Sequence, residues 1–440
     1  MPAKKTGTPK KSKEQAEEKG KTRLRVRTER DPNVDPFFNE MQEISAKGFF
    51  PNMEVDNPDE RPTLPTNTII TTRSNRYVVI KKLGAGGFGD VYEVTRERDN
   101  GLLAMKTEYD VEDDTLQRLK REVLVYEVIN MAKRQNPRSA DHILHMVDKG
   151  HNQFFKYIIM PYTGKSLDYI KDNVLKSEFA PHTAIQIACQ THLALKNLHE
   201  LGYIHRDVKP DNFVVGRFEH RNVIFIMDFG MSTKYEKTTS NLPKESRYKF
   251  IGTPKYAARA THQGRVVNRK EDMESWYYMV IELFGTDYLP WGDIEDLDKM
   301  FFLKECFFAG KYDAVVYCET AVPKDLITIR KLIDEISGAQ RPNYEEHEKV
   351  LEKLVKDFKI DYYAPFEWAD VLAKHFLNKE QKEMENREKE VQRRMATMRR
   401  SRESFLCFRN YGSMIPLVFV KYLYYQLIPV FDVSRLYWAN

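Results

Sequence analysis

From Tyr77 onward, apolar and polar positions first alternate and then recur every three to four residues, so strands are predicted ahead of helices. Tyr77 to Leu83 and Asp90 to Arg96 read as strands. A third strand contains Ala104-Met105-Lys106, entered through a tight hairpin turn at Asn100-Gly101. Leu116, Leu119, Val123, Tyr126, Val128 and Ile129 fall at helical spacing, and two strand-like runs follow, Ile143 to Lys149 and Phe154 to Met160. His182 to Leu201 is an amphipathic helix (Ile185, Ala188, Leu195, Leu198) stopped by Gly202 just past its end. Asp272 to Phe284 is apolar nearly all round, which marks a helix buried on every side.

The two ends lack this order. Residues 1 to about 70 show no apolar periodicity and are broken by Pro32, Pro36, Pro51, Pro58, Pro62 and Pro65. Such a stretch cannot bury enough surface to offset chain entropy, and the expectation is a disordered arm over 1–74. Asn378 to Phe405 is a charged helix candidate with Glu383–Arg387, Glu385–Lys389 and Glu390–Arg394 in the favourable order. Its Met384, Val391, Met398 and Phe405 repeat every seven residues, a short seam that favours docking over a coiled coil. Met414 to Phe431 is apolar and aromatic, but Lys421 sits within it and Pro416 and Pro429 bracket it. Docking or strand pairing is favoured there over a membrane span.

Charge changes the picture only at the flanks. The chain carries 70 Lys and Arg against 65 Asp and Glu, a net +5. Residues 1–30 hold 11 basic against 4 acidic side chains and residues 374–409 hold 11 against 6, so the remainder is net acidic. Any attraction to an acidic partner (a microtubule, nucleic acid or a membrane surface) therefore belongs to the flanks. Lys10-Lys11-Ser12-Lys13 resembles a short nuclear-localisation cluster. Cys189, Cys306, Cys318 and Cys407 have no metal-ligand or CxxC spacing, and the Lys-rich start lacks an apolar signal segment. The expected setting is cytoplasmic or nuclear, without secretion.

Candidate chemistry is concentrated in His205 to Phe213, which spell HRDVKPDNF, and in Asp228-Phe229-Gly230 beyond the apolar run Val223 to Met227. The pair resembles the signature of protein kinases. Phosphoryl transfer asks for positioning and charge neutralisation rather than covalent help. Asp207 fits the group that orients the attacking hydroxyl and accepts its proton, and Lys209 fits a point charge beside the moving phosphoryl. Asn212 and Asp228 fit hard oxygen ligands for Mg2+. Gly84-Ala85-Gly86-Gly87-Phe88-Gly89 is a GxGxxG loop, which dinucleotide-binding units share. Here a strand follows the glycines where those units open a helix, and Lys106 on the third strand is in register to reach ATP phosphates. Glu122 on the following helix is the favoured ion-pair partner of Lys106, with Glu127 as the alternative.

Further motifs narrow the resemblance. The segment after the DFG loop ends in GTPKYAARATH where most kinases have Ala-Pro-Glu, and RKEDMESWYYMVIEL and Leu289-Pro290-Trp291 follow. With MPYTGKSL at Met160 to Leu167 and Phe366-Glu367-Trp368 near the end, this stretch, about two-thirds of the chain, resembles the casein kinase 1 superfamily, including tau-tubulin kinases. The resemblance implies an α+β bilobal fold, with a β-rich N-lobe over 75–160 and a mainly helical C-lobe over 164–375, followed by a tail from 376. It implies Met160 as gatekeeper and the backbones of Pro161 and Thr163 facing adenine. It also implies Leu83, Val91 and Ala104 against the nucleotide, and Asp272 holding the catalytic loop.

The implied activity is that of a serine/threonine protein kinase using Mg-ATP on protein substrates, as a monomeric catalytic domain. The alternative is a pseudokinase-type scaffold, or an adaptor whose basic tails bind microtubules, nucleic acid or acidic lipid. Family resemblance further implies an activation loop that needs no phosphorylation, although Arg206 could pair with a phosphate. The family reads a priming phosphate with basic residues, some just beyond LPW. Here Asp293, Glu295, Asp296 and Asp298 stand there instead, while Lys255 keeps a basic position.

Overall fold

In the computed structural model, which describes residues 63–371 apart from 73, 87–88, 110–117, 152–154, 236–249, 318–321 and 362–363, the alternating positions close one face of a sheet. The strands are β1 (Ile69–Thr71), β2 (Arg76–Ala85), β3 (Asp90–Arg96), β4 (Gly101–Tyr109), β5 (Asp148–His151) and β6 (Phe155–Pro161). They pair antiparallel in the order β1-β2-β3-β4-β6-β5. Tyr77 and Val79, Tyr92 and Val94, Leu103 and Met105, and Phe155, Tyr157 and Ile159 form one buried cluster, as period-two side chains on a common face must.

Leu64 and Ile70 join that cluster, and the Leu64 amide donates to the Tyr92 hydroxyl at 3.0 Å. Order thus begins before the predicted boundary at 75: β1 covers the edge of β2, burying Ile70 and pairing backbone groups that β2 would otherwise expose. The rest of the predicted arm, 1–62, lies outside the described residues. Two local expectations also shift. The β3–β4 connection is the four-residue loop 97–100, not a two-residue turn at Asn100-Gly101, because Asp99 accepts from Arg96 and from the Gly101 amide at 3.0 Å. The run Ile143 to Val147 is not strand. Its backbone turns instead to Ile226, which accepts from the Leu144 amide and donates to His142.

Helix α1 (Arg118–Gln135) follows the sheet's central strand in sequence. The helical part holds α2 (Pro181–Glu200), α3 (Arg269–Phe284), α4 (Leu297–Phe308), α5 (Leu326–Asp334) and α6 (Tyr344–Asp357). Every residue of α3 from Asp272 to Phe284 is buried, and Asn268 and Glu271 close its start as a capping box. Phe366-Glu367-Trp368 docks on the entry to α2: Trp368 lies edge-on to Phe179 at 5.7 Å, and Glu367 accepts from the Ala180 amide at 3.0 Å. The compact unit holding these elements ends at Ala369. The predicted tail helix and the apolar run beyond it lie outside the described residues, among which no helix is long and apolar enough to cross a membrane.

Two short ribbons position the site. β7 (Tyr203–Ile204) pairs with β10 (Thr233–Lys234), and β8 (Phe213–Val215) pairs with β9 (Ile224–Ile226). Residues 205–212 span β7 to β8 and residues 227–232 span β9 to β10, so both motif loops hang between the same two ribbons.

Candidate active site

On β4, Ala104 pairs with Met160 and Lys106 with Ile158, while Val91 of β3 pairs with Lys106. Register therefore puts Val91, Ala104, Lys106 and Met160 on the sheet face opposite the N-lobe cluster. Leu83, Gly84 and Ala85 end β2 at the rim of this face, and Gly86 donates to the Gly89 carbonyl at 2.8 Å to close the loop. A Cβ on Gly89 would sit 1.9 Å from the Thr107 carbonyl oxygen, so only glycine lets the loop lie this close to β4. Gly87 and Phe88 lie outside the described residues. Pro161 ends β6, and Thr163 lies in the connection to the helical part.

Lys106 is the centre of charge. Its Nζ lies 2.8 Å from Glu122 Oε2 and 2.8 Å from Asp228 Oδ1. Burial alone would lower this ammonium, but the Asp228 and Glu122 carboxylates outweigh it and raise it. Lys106 in turn holds the Asp228 carboxyl down at about 2, against the opposing effect of burial. Glu122 has no exposed surface, and burial pushes it up to about 7 with Lys106 opposing. The alternative partner, Glu127, is engaged elsewhere, 2.6 Å from Lys149.

The catalytic-loop residues converge on Asp207. Its Oδ1 accepts from the Thr253 amide and hydroxyl, both at 2.9 Å, and its Oδ2 lies 3.3 Å from Lys209 Nζ. Asn212 Nδ2 donates to the Asp207 carbonyl at 2.7 Å, which directs the amide oxygen away from that contact. Asp228 adopts a left-handed φ of 64°, and the adjoining Phe229 is buried edge-on between Tyr126 (5.1 Å) and His205 (5.6 Å). Asn212 and Asp228 are held near each other by the Met227 amide, which donates to the Asn212 carbonyl at 2.9 Å.

This donor set, one carboxylate and one amide oxygen, consists of hard ligands of the kind a divalent cation takes. No group of three or more His, Cys, Asp or Glu able to hold a metal occurs among the described residues.

Asp272 takes its expected place, accepting from the His205 amide at 2.6 Å and the Arg206 amide at 2.9 Å. Arg206, in the left-handed region at φ 68°, spends its Nε on the Met231 carbonyl at 2.6 Å. Of the basic side chains in the loop after the DFG motif, Lys234 ends β10, while 237, 244, 247 and 249 lie outside the described residues.

Sequence reasoning missed four contributors. Thr253 lies in the quoted GTP triplet, yet nothing marked it as a partner of Asp207. Lys304 is wholly buried and donates to the carbonyls of Pro254 (2.7 Å) and Ala257 (2.6 Å), bracketing Lys255-Tyr256; burial lowers it to about 7. Arg259, in the segment that stands in place of Ala-Pro-Glu, anchors that segment with Nε 3.1 Å from Glu274 and Nη2 2.6 Å from Asp334. Behind Asp272, His199 Nε2 lies 2.9 Å from Oδ2, and His199 Nδ1 lies 2.6 Å from the Tyr344 hydroxyl, tying α6 to the catalytic loop. Helical periodicity over 182–201 gave no sign of this partner.

Residues 77–349 match the protein kinase domain family. A probable serine/threonine-protein kinase of Dictyostelium discoideum is 27% identical over 295 residues, 67% of this chain and 56% of that protein. A putative serine/threonine-protein kinase of Caenorhabditis elegans is 34% identical over 194 residues, 44% of this chain and 58% of its own. The serine/threonine-protein kinase spe-6 of Caenorhabditis elegans is 29% identical over 297 residues, 67% of this chain and 76% of its own. The chain thus spans under two-thirds of the first two relatives. Among solved structures, vaccinia related kinase 3 shares the fold with a TM-score of 0.58 at 21% identity, covering 70% of this chain and 95% of that one.

Proposed function

The chain belongs to the protein kinase family, and we propose that it transfers the γ-phosphoryl group of ATP to serine and threonine hydroxyls of proteins. The observation that carries this reading is the joint placement of Lys106 on both Glu122 and Asp228 with Asp207 oriented by Thr253 and Lys209. Magnesium is the metal proposed, because small hard cations keep water and phosphate oxygens beside one or two protein ligands. When bound, it neutralises phosphate charge. Asn212 and Asp228 would hold it.

Lys106, released by nucleotide from part of its grip on Asp228, pairs with phosphate oxygens while Glu122 keeps it aimed. Asp207 orients the substrate hydroxyl and takes its proton as the oxygen–phosphorus bond forms and the bond to ADP breaks. Lys209 stands beside the transferred group as a counter-charge. Leu83, Val91, Ala104 and Met160 enclose the base, and the backbones of Pro161 and Thr163 offer it hydrogen bonds.

Membership of the casein kinase 1 superfamily is part of the proposal, supported by the GTPKYAARATH segment, by LPW and by Phe366-Glu367-Trp368. So are a cytoplasmic or nuclear location, a monomeric catalytic domain and an acidic partner for the basic flanks. The deciding experiment incubates the full chain with labelled ATP, Mg2+ and a protein substrate, beside its Asp207→Asn form. Label on serine or threonine that the variant does not produce is the expected result. Equal labelling by both would refute the reading.

A further inference from the structure

The Lys106–Glu122 pair is not the only link between β4 and α1. Two residues further along the same strand, and so on the same face, Glu108 reaches the start of that helix. Its Oε1 accepts from the Arg118 amide at 2.9 Å and the Leu119 amide at 3.1 Å, and its Oε2 accepts from Leu119 at 3.1 Å. Glu108 as a residue is only 5% exposed. Among the described residues the first turn of α1 contains no acidic residue, and Glu108 supplies negative charge at these free amides, as a helix N-terminus favours. Glu122 stands one helical turn beyond these two amides.

β4 is a central strand, paired to β3 on one side and to β6 on the other as far as Tyr109. One rigid strand therefore grips α1 twice, by its backbone through Glu108 and by its side chain through Lys106. We propose that Glu108 is a positioning residue that fixes α1 in its catalytic place, so that the chain itself makes the Lys106–Glu122 pair without nucleotide, phosphate or a second protein. This rests on the kinase reading above. Without the Glu108 carboxylate the two amides lose a common buried acceptor, the Lys106–Glu122 pair is left as the charged tie of β4 to α1, and Lys106 is free to stay on Asp228.

The test compares Glu108→Ala, Glu122→Gln and the double variant. Glu108→Ala should lower kcat/KM for ATP by about 10- to 100-fold, the scale of a small misplacement of a reacting group. On the Glu122→Gln background the same change should cost no more than about twofold, because the helix position no longer matters once its carboxylate is gone. Amide hydrogen exchange along α1 should quicken in Glu108→Ala while α3 stays protected. Where the alanine variant does not fold, Glu108→Gln is measured in the same way, with a smaller loss expected. Exchange needs no turnover, so a chain that transferred no phosphoryl group would sink the kinase reading and leave this one still measurable. Equal losses on both backgrounds, or unchanged exchange across α1, would overturn it.

Discussion

Thr253 holds the same oxygen of Asp207 twice, through its amide and through its hydroxyl, each at 2.9 Å. The hydroxyl also accepts from Lys209 at 3.1 Å, so one threonine links the proposed base, its neighbouring cation and the start of the substrate-facing loop. Gly252 makes this approach feasible: its φ is +99°, and a Cβ there would come within 2.7 Å of the Arg206 carbonyl oxygen.

The first prediction follows from that linkage. Asp207→Asn should lower kcat by on the order of 10²- to 10⁴-fold, the range for losing a general base, with ATP affinity nearly unchanged. Thr253→Val should cost less, since the amide bond to Asp207 remains, and Thr253→Ser should restore most of the activity. Steady-state kinetics with separate ATP titrations read all three. An Asp207→Asn enzyme with more than half of wild-type turnover would place the chemistry elsewhere.

A second prediction concerns activation. Phe229 is packed between Tyr126 and His205, and Lys106 contacts Glu122, so both contacts are made by unmodified side chains of these elements. Phosphatase-treated protein from bacteria should therefore phosphorylate a protein substrate without a lag. The progress curve decides it: a lag abolished by prior autophosphorylation, or strict need for an upstream kinase, would refute the expectation.

Local motifs made the catalytic residues legible because their chemistry fixes both residue type and spacing. Asp207, Asn212 and Asp228 lie within loops whose ends are set by nearby strands, so sequence distance nearly equals structural distance. Val91, Ala104 and Met160 were expected at the nucleotide from the family resemblance alone, and strand register carries them to the face of Lys106. Partners distant along the chain were not legible. Thr253 meets Asp207 across 46 residues and Tyr344 meets His199 across 145, and no period or motif encodes such pairings. The ordered strand ahead of residue 75 was not legible for a related reason. β1 is three residues long, too short for alternation to register, and its order comes from pairing with β2.

The third prediction is that phosphorylation of a substrate upstream of the target will not accelerate transfer. Lys255, the basic side chain left in the substrate-facing loop, lies 2.5 Å from Glu282 Oε1, and Lys171 is 3.6 Å from the same oxygen. Glu282 also accepts from the Tyr256 hydroxyl. A phosphate would have to displace a buried carboxylate to reach Lys255. Beyond LPW, Asp293, Glu295 and Asp298 are exposed, and Asp296 caps α4. These carboxylates would repel a group carrying about −1.5 to −2 charge. A positional peptide library, with and without phosphoserine three residues before the acceptor, should show no enhancement and tolerance of basic residues. Strong enhancement lost in Lys255→Ala would show that the ion pair opens to receive the phosphate.

The last prediction is an acid limb in stability set by buried histidines behind the catalytic loop. His347 of α6 has no exposed surface, its Nδ1 lies 3.3 Å from His192 Nε2, and burial lowers it from 6.5 to about 4, with Glu345 opposing. Burial lowers His192 as well, with His347, Lys196 and His199 adding to the effect. Between pH 6.5 and 4 the unfolded chain binds a proton at this position that the folded chain does not, so stability falls as pH falls through that window. The stability is fully present above 6.5. At pH 5 the His347 contribution to the loss is on the order of 2 kcal/mol. Thermal unfolding of the full chain at pH 7.5 and pH 5 should show a large drop in Tm, and His347→Gln should shrink that drop even if it lowers Tm at both pH values. An identical drop in the variant would mean that His347 takes up its proton without unfolding and that the acid limb comes from other groups.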